Sequence, residues 1–230
     1  MAIHEGHRER LRQRFRDEGL DNFTPVQVLE LLLFSCIPRK DTNPIAHALL
    51  ERFGSLPQVL DASIEELAKV PGVSENAATC LHMVTEVGRY YLVARSMECT
   101  ILPTIEKCGE YLVPYFFGRT VETVFLLCLD ARCKVLCCKE MGEGSVNSAG
   151  LSIRRIVETA LGANASTAVL AHNHPSGLAI PSPEDIQTTR RVAAALRSVE
   201  ITLADHIVVA DGDYVSLVQS GCRFDDCLLI

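Results

Sequence analysis

Past residue 97 the apolar residues of this chain change their period, and that change restricts its possible folds more than any other feature. Before it, every segment is written at helical spacing. "TPVQVLELLLF" opens on a Thr–Pro start signal and places Val26, Leu29 and Leu33 on one helical face. "NPIAHALLERFG" repeats the pattern, with Asn43 as cap, Pro44 at the first helical position and Gly54 as the stop. "SIEELAKVPGVSENAATCLHMVTEVGRYYLVA" reads as two helices broken at "VPGVS", and Ser63 with Glu66 forms a capping box for the first. After "RSMECTILPT" the runs become short, apolar and β-rich. "VETVFLLCLD" and "CKVLCCKE" predict a hairpin turning near "DAR". "LSIRRIVETALG" predicts a helix stopped by Gly162, "STAVLAH" a buried strand, "SPEDIQTTRRVAAALRSV" a second helix. "HIVVADGDYVSL" predicts a hairpin with Asp-Gly at its turn. The order β-β-α-β-α-β-β predicts a mixed sheet flanked by helices. The whole is an α+β, mixed α/β chain with a helical part over 1–97 and a sheet-containing part over 98–230.

Charge and composition narrow the function. The net charge of −7 over 230 residues argues against generic electrostatic binding to nucleic acid or to an anionic membrane. The apolar run 28–34 contains Glu30 and is far too short to span a bilayer. The charged start, "MAIHEGHRERLRQRFRDEG", shows no apolar signal region, so a cytoplasmic protein is expected. The ten cysteines are irregularly spaced with no CxxC pair, and several, including Cys128, Cys137 and Cys138, sit in apolar runs. Reduced, buried thiols are therefore expected rather than a disulfide framework or a cysteine zinc site.

The densest chemistry lies in "AHNHPSGLAIPSPED", residues 171–185. Side chains two apart on an extended chain point the same way, so His172 and His174 present two imidazoles from one strand end, with Asn173 turned away. Ten residues later comes Asp185, in the first turn of the next helix. Two imidazoles and a carboxylate suit catalytic zinc with a fourth position left for water. The same residues also support a plain reading, in which Ser182 is a helix cap, Pro183 the first helical residue and Asp185 the closing member of a capping box. Both readings stand at the level of spacing.

The stretch "HNHPSG…PSPED" closely resembles the JAMM signature of MPN-domain metallohydrolases, and with "DHIVVADGDYVSL" downstream it is similar to the RadC family in particular. "LLLFSCIPRKDTNPIAHALLERFGSL" and "LAKVPGVSENAA" resemble the helical segment and helix-hairpin-helix that precede the domain in that family. The resemblance implies an N-terminal helix-hairpin-helix module followed by an MPN/JAMM, cytidine-deaminase-like mixed sheet flanked by helices. It implies Zn2+ held by His172, His174 and Asp185, and a zinc-dependent metalloprotease or isopeptidase acting on a protein or peptide substrate. In "VETVFLLCLDARCKVL" the catalytic acid–base carried over is Glu122, which activates the zinc-bound water for attack on an amide carbonyl. Spacing alone does not select it over Glu140, Glu143 or Glu158. Ser182, at the family's serine position, is the implied hydrogen-bond donor to the oxyanion. Asp205 and His206 match a "DH" pair that would suit hydrogen bonding to a ligand; a packed histidine is the equal alternative, and His206 is not placed in the metal set. Two imidazoles and a carboxylate would also take iron, cobalt or manganese.

The second function class is a DNA-associated repair or recombination protein whose metal site is structural or vestigial. A helix-hairpin-helix holds a phosphate on backbone N–H groups around a Gly-hydrophobic-Gly turn. Here Gly72 and Val73 are followed by Ser74 in place of the second glycine, and Glu75 sits near the anion position. A hairpin packed against its neighbours competes with a DNA clamp at residues 72–74. Five arginines between residues 8 and 16 scatter around a first helix that is expected to be solvated, with Leu11 and Phe15 on one face. His47 and His82 fall within helices, and Cys222 and Cys227 are too loosely spaced to argue for metal.

Overall fold

The computed structural model describes residues 3–97, 101–144 and 152–224. Packing divides the chain into two compact units, Met1–Gly88 and Arg89–Ile230. The division falls inside a long helix, whereas the boundary expected between residues 97 and 98 lies at the edge of the described residues. Among the described residues no helix is long and apolar enough to cross a membrane.

The first unit is helical throughout: α1 (Ile3–Glu18), α2 (Pro25–Cys36), α3 (Asn43–Phe53), α4 (Leu56–Asp61), α5 (Ile64–Ala68) and the start of α6 (Glu75–Ser96). Thr24 caps α2 reciprocally with Gln27, and the Ser63 hydroxyl accepts from the Glu66 N–H at the start of α5. The α3 cap differs from the expected one. Asn43 is already helical, Thr42 is the cap residue without a side-chain bond, and Asp41 accepts from the Asn43 N–H at 3.0 Å. Leu29, Leu33, Leu49, Val59, Leu67 and Leu81 fill the core. In α1, Leu11 is buried but Phe15 is 43 % exposed, so the two do not share a packed face.

Two arginines of α1, Arg8 and Arg14, bond to neighbouring segments of this unit. Arg8 donates to the carbonyls of Ile37 and Lys40 and lies over Phe34. Arg14 donates to the Asn22 carbonyl at 2.7 Å, and Arg16 pairs with Glu9. In the hairpin, Gly72 takes a positive φ of 90° with Ile45 at its back, Val73 is buried, and the Ser74 hydroxyl accepts from the Ala77 N–H. His47 is exposed, and His82 contacts the Ala62 carbonyl.

The second unit is a five-stranded sheet in the order β2-β1-β3-β4-β5, made of β1 (Thr123–Leu129), β2 (Val135–Glu143), β3 (Thr167–Asn173), β4 (Thr202–Ala210) and β5 (Asp213–Ser216). Only β3 and β4 run parallel; the other neighbours are antiparallel. The two-residue period sorts β1 between two cores. Val124, Leu126 and Cys128 face a cluster with α8 (Ile153–Gly162) and α9 (Pro183–Arg197). Phe125, Leu127 and Leu129 face α7 (Ile105–Leu112) and a following 3-10 turn over Val113–Phe116. Neither of these last two elements shows in the strand-and-helix order read from the sequence. Their polar outer residues and short length hide a helix whose inner face is buried only by the sheet. Gly162 is the last residue of α8 rather than its stop, and the left-handed residue there is Asn164. Asp211 and Gly212 make the β4–β5 turn, both at positive φ. The eight described cysteines are free thiols; Cys227 lies outside the described residues.

Candidate metal centre

The sheet topology brings three distant parts of the sequence to one end of β3. Antiparallel pairing sets Val124 opposite His172. The chain entering β1 therefore runs beside the chain leaving β3, and Glu122 meets the histidine pair. The first turn of α9 supplies the fourth group. Glu122, His172, His174 and Asp185 each offer a ligand atom, and these atoms lie within 4.8 Å of one another.

Within the cluster the two Nε2 atoms of His172 and His174 are 2.9 Å apart. Asp185 Oδ1 lies 3.5 Å from His172 Nε2, and its Oδ2 lies 3.6 Å from His174 Nε2. Glu122 Oε1 is 4.0 Å from His172 Nε2, and the Glu122 side chain keeps 22 % exposure where that of His172 has none. His172 and Asp185 are thus buried, while Glu122 and His174, whose side chain keeps 18 % exposure, lie toward the opening. The His174 Nδ1 donates to the Leu178 carbonyl at 2.9 Å, which leaves its Nε2 bare toward the cluster. Convergence of nitrogen lone pairs and carboxylates in a buried space fits a divalent ion of the zinc type.

Burial by itself would raise the Asp185 carboxyl. Its contact with His172 and the bonds from Ser182 outweigh it and hold Asp185 well below the usual carboxylate range. Burial, helped by the neighbouring His172, drives His206 well below the ordinary imidazole value. Burial also raises Asp205, against hydrogen bonds from the Ser216 hydroxyl and from the N–H groups of Val218 and His206.

Ser182 caps α9: its hydroxyl accepts from the Asp185 N–H at 3.1 Å and donates to Asp185 Oδ2 at 2.7 Å. Glu140 and Glu143 pair with Arg119, and Glu158 pairs with Arg154, so none of the three approaches the cluster. Gly72, Val73 and Ser74 belong to the helical unit.

Two residues to which the sequence assigned no role also shape the site. Asn173, turned away from the histidines, accepts from the Thr123 N–H at 2.7 Å and donates to the carbonyls of Arg119 and Val121. It clamps the segment that carries Glu122. Thr189, fully buried on α9, donates to the Asp185 carbonyl. A buried asparagine between two histidines was the one available signal for the first; nothing local marks the second.

The RadC-like JAB domain model matches residues 102–222. Over 224 residues the chain is 32% identical to the UPF0758 protein FN0909 of Fusobacterium nucleatum subsp. nucleatum, an alignment that covers 94% of this chain and 97% of the relative.

Proposed function

The chain belongs to the RadC family of JAB-domain proteins, and from that premise we propose that it is a JAMM-type metal-dependent hydrolase, a metalloprotease or isopeptidase that cuts an amide bond. One observation carries the reading: two imidazoles and two carboxylates from three separated segments meet within 4.8 Å, with His172 and Asp185 buried and Glu122 and His174 toward the opening. His172, His174 and Asp185 would hold the metal, with Zn2+ best matched to the donor set. Bound there, the ion would polarise the substrate carbonyl and lower the pKa of water to about 7.

The remaining chemistry belongs to the chain. Glu122 is the most exposed member of the cluster and is not among the three assigned to the metal, so its carboxylate takes the proton of the attacking water and returns it to the leaving amine. Burial of His172 and Asp185 keeps bulk water away from the inner side of the site. Ser182 has its hydrogen on Asp185 Oδ2, so it turns from that bond to donate to a developing oxyanion. The acceptor it leaves keeps a second bond from the Ser182 N–H at 2.7 Å.

The helical unit offers no comparable argument for DNA. The Ser74 hydroxyl is bonded to the start of α6, and Arg8 and Arg14 of α1 hold neighbouring segments. Binding to a duplex should be weak and vanish at moderate salt.

The deciding experiment pairs metal content with turnover. Wild type should carry about one zinc per chain, and the His172→Ala/His174→Ala protein none. Screened on fluorogenic peptide amides, Glu122→Gln should retain the metal and lose at least about 100-fold in rate. A folded wild-type protein that takes up no metal would sink the proposal.

A further inference from the structure

Behind the cluster, outside any ligand position, runs a chain of buried polar groups whose hydrogens can be assigned from its fixed end. That end is the Asp185 main-chain carbonyl, which can only accept; Thr189 Oγ1 donates to it at 2.6 Å. The threonine hydroxyl has one hydrogen, so toward His206 Nδ1, 2.5 Å away, it must accept. His206 Nδ1 therefore carries a hydrogen. The ring is fully buried between His172 and Thr189, and a second hydrogen on it would bury a cation with neither of these partners charged to offset it. Its Nε2 is then bare, and it faces His172 Nδ1 at 2.8 Å. His172 Nδ1 must donate, and His172 Nε2 is left without a hydrogen.

We infer that His206, acting with Thr189, is a positioning residue that fixes His172 in its Nδ1–H tautomer and aims the bare Nε2 at Glu122, His174 and Asp185. The inference rests on the metal-centre reading for its purpose, though not for its hydrogen assignments. The Leu178 carbonyl does the same for His174 from the other side. The two Nε2 atoms, 2.9 Å apart, thus both face the cluster. The chain has a mechanical effect too. It joins β3 through His172, β4 through His206 and α9 through Thr189, and it ends on the backbone of the ligand Asp185. Strand register supports this order, since Leu170, one turn of the pleat before His172, pairs with His206. A histidine kept only for packing would not need both ring nitrogens at hydrogen-bonding distance from buried polar atoms.

The test uses the full chain. Imidazole 15N spectra of the metal-free protein at about pH 8, above the ordinary histidine pKa, report the tautomer directly. Zinc affinity is measured in parallel by competition with a chelating dye. In wild type, His172 should show a protonated Nδ1 and an unprotonated Nε2. His206→Leu should lose that signature and weaken zinc binding by about 10- to 100-fold. His206→Gln should keep both near wild type, because its amide oxygen can accept from His172 while its NH2 donates to Thr189. A wild-type His172 protonated on Nε2 would overturn the inference, as would a folded His206→Leu that binds zinc as tightly as wild type. If His206→Leu does not fold, the wild-type tautomer and the glutamine variant decide. A wild type with the assigned tautomer but no zinc uptake would bear out the hydrogen-bond chain and sink the hydrolase reading instead.

Discussion

Asp185 Oδ2 sits 2.7 Å from both the main-chain nitrogen and the hydroxyl of Ser182, while Oδ1 of the same carboxylate lies 3.5 Å from His172 Nε2. One side chain thus closes a helix cap and faces the cluster. Oδ1 faces His172, while Oδ2 closes the cap and also lies 3.6 Å from His174 Nε2, so the capping and ligand readings of "SPED" are not rivals. The cap fixes the carboxylate that the cluster uses.

That double role predicts separable effects. Ser182→Ala should cost about 1 kcal/mol of stability, the usual loss for such a cap, and should leave bound metal in place. Asp185→Asn keeps an acceptor for the Ser182 N–H but loses the charge, so it should stay folded and lose the metal. Denaturation midpoints measured beside metal content would show it; metal loss in Ser182→Ala would refute that separation.

Asn173 makes the second prediction. Its truncation to alanine removes the partners of the Thr123 N–H and of two carbonyls, one of them adjacent to Glu122. Stability should fall by about 1–3 kcal/mol, the penalty for stranding a buried polar group. Metal content should hold, since neither histidine depends on that amide, while turnover drops with the loss of a fixed Glu122. Loss of metal in a folded Asn173→Ala protein would contradict this account.

Packing on the opposite face of the sheet gives the third. A Cβ on Gly109, in α7, would fall 2.3 Å from the Tyr214 ring of β5. Gly109→Ala should therefore cost about 1–3 kcal/mol. Tyr214→Ala in the same background should return part of that loss, a non-additivity that a double-mutant cycle measures. Additive losses would show that the ring moves aside freely.

Thiol chemistry supplies the fourth. Burial pushes Cys108 and Cys128 up to about 12, with neighbouring thiols adding to it. A raised thiol pKa disfavours the thiolate at every lower pH, so at about pH 8 only about one molecule in ten thousand is reactive at each position. Both cysteines should resist maleimide in the native protein and react after unfolding, which mass spectrometry of pulse-labelled peptides would resolve. Rapid native labelling at either position would break the prediction.

By itself the sequence determined the period of each main segment, and with it the two-part character of the chain and the helix–strand order around residues 171–185. It also placed His172 and His174 on one side of a strand end and Asp185 one helix turn from a cap, because these are consequences of local geometry. What it left open needed long-range pairing. Glu122 stood beside Glu140, Glu143 and Glu158 with no spacing to select it; the β1–β3 register sets it at the histidines, while Glu140 and Glu143 on β2 pair with Arg119 and Glu158 pairs with Arg154 one turn away on α8. The His172–His206 and Thr189–His206 hydrogen bonds likewise arise only once β3, β4 and α9 are packed together. Helix α7 went unseen because its apolar face acquires meaning only against the sheet that buries it. Local spacing dictates which way a side chain points, and only the folded sheet decides what it meets there.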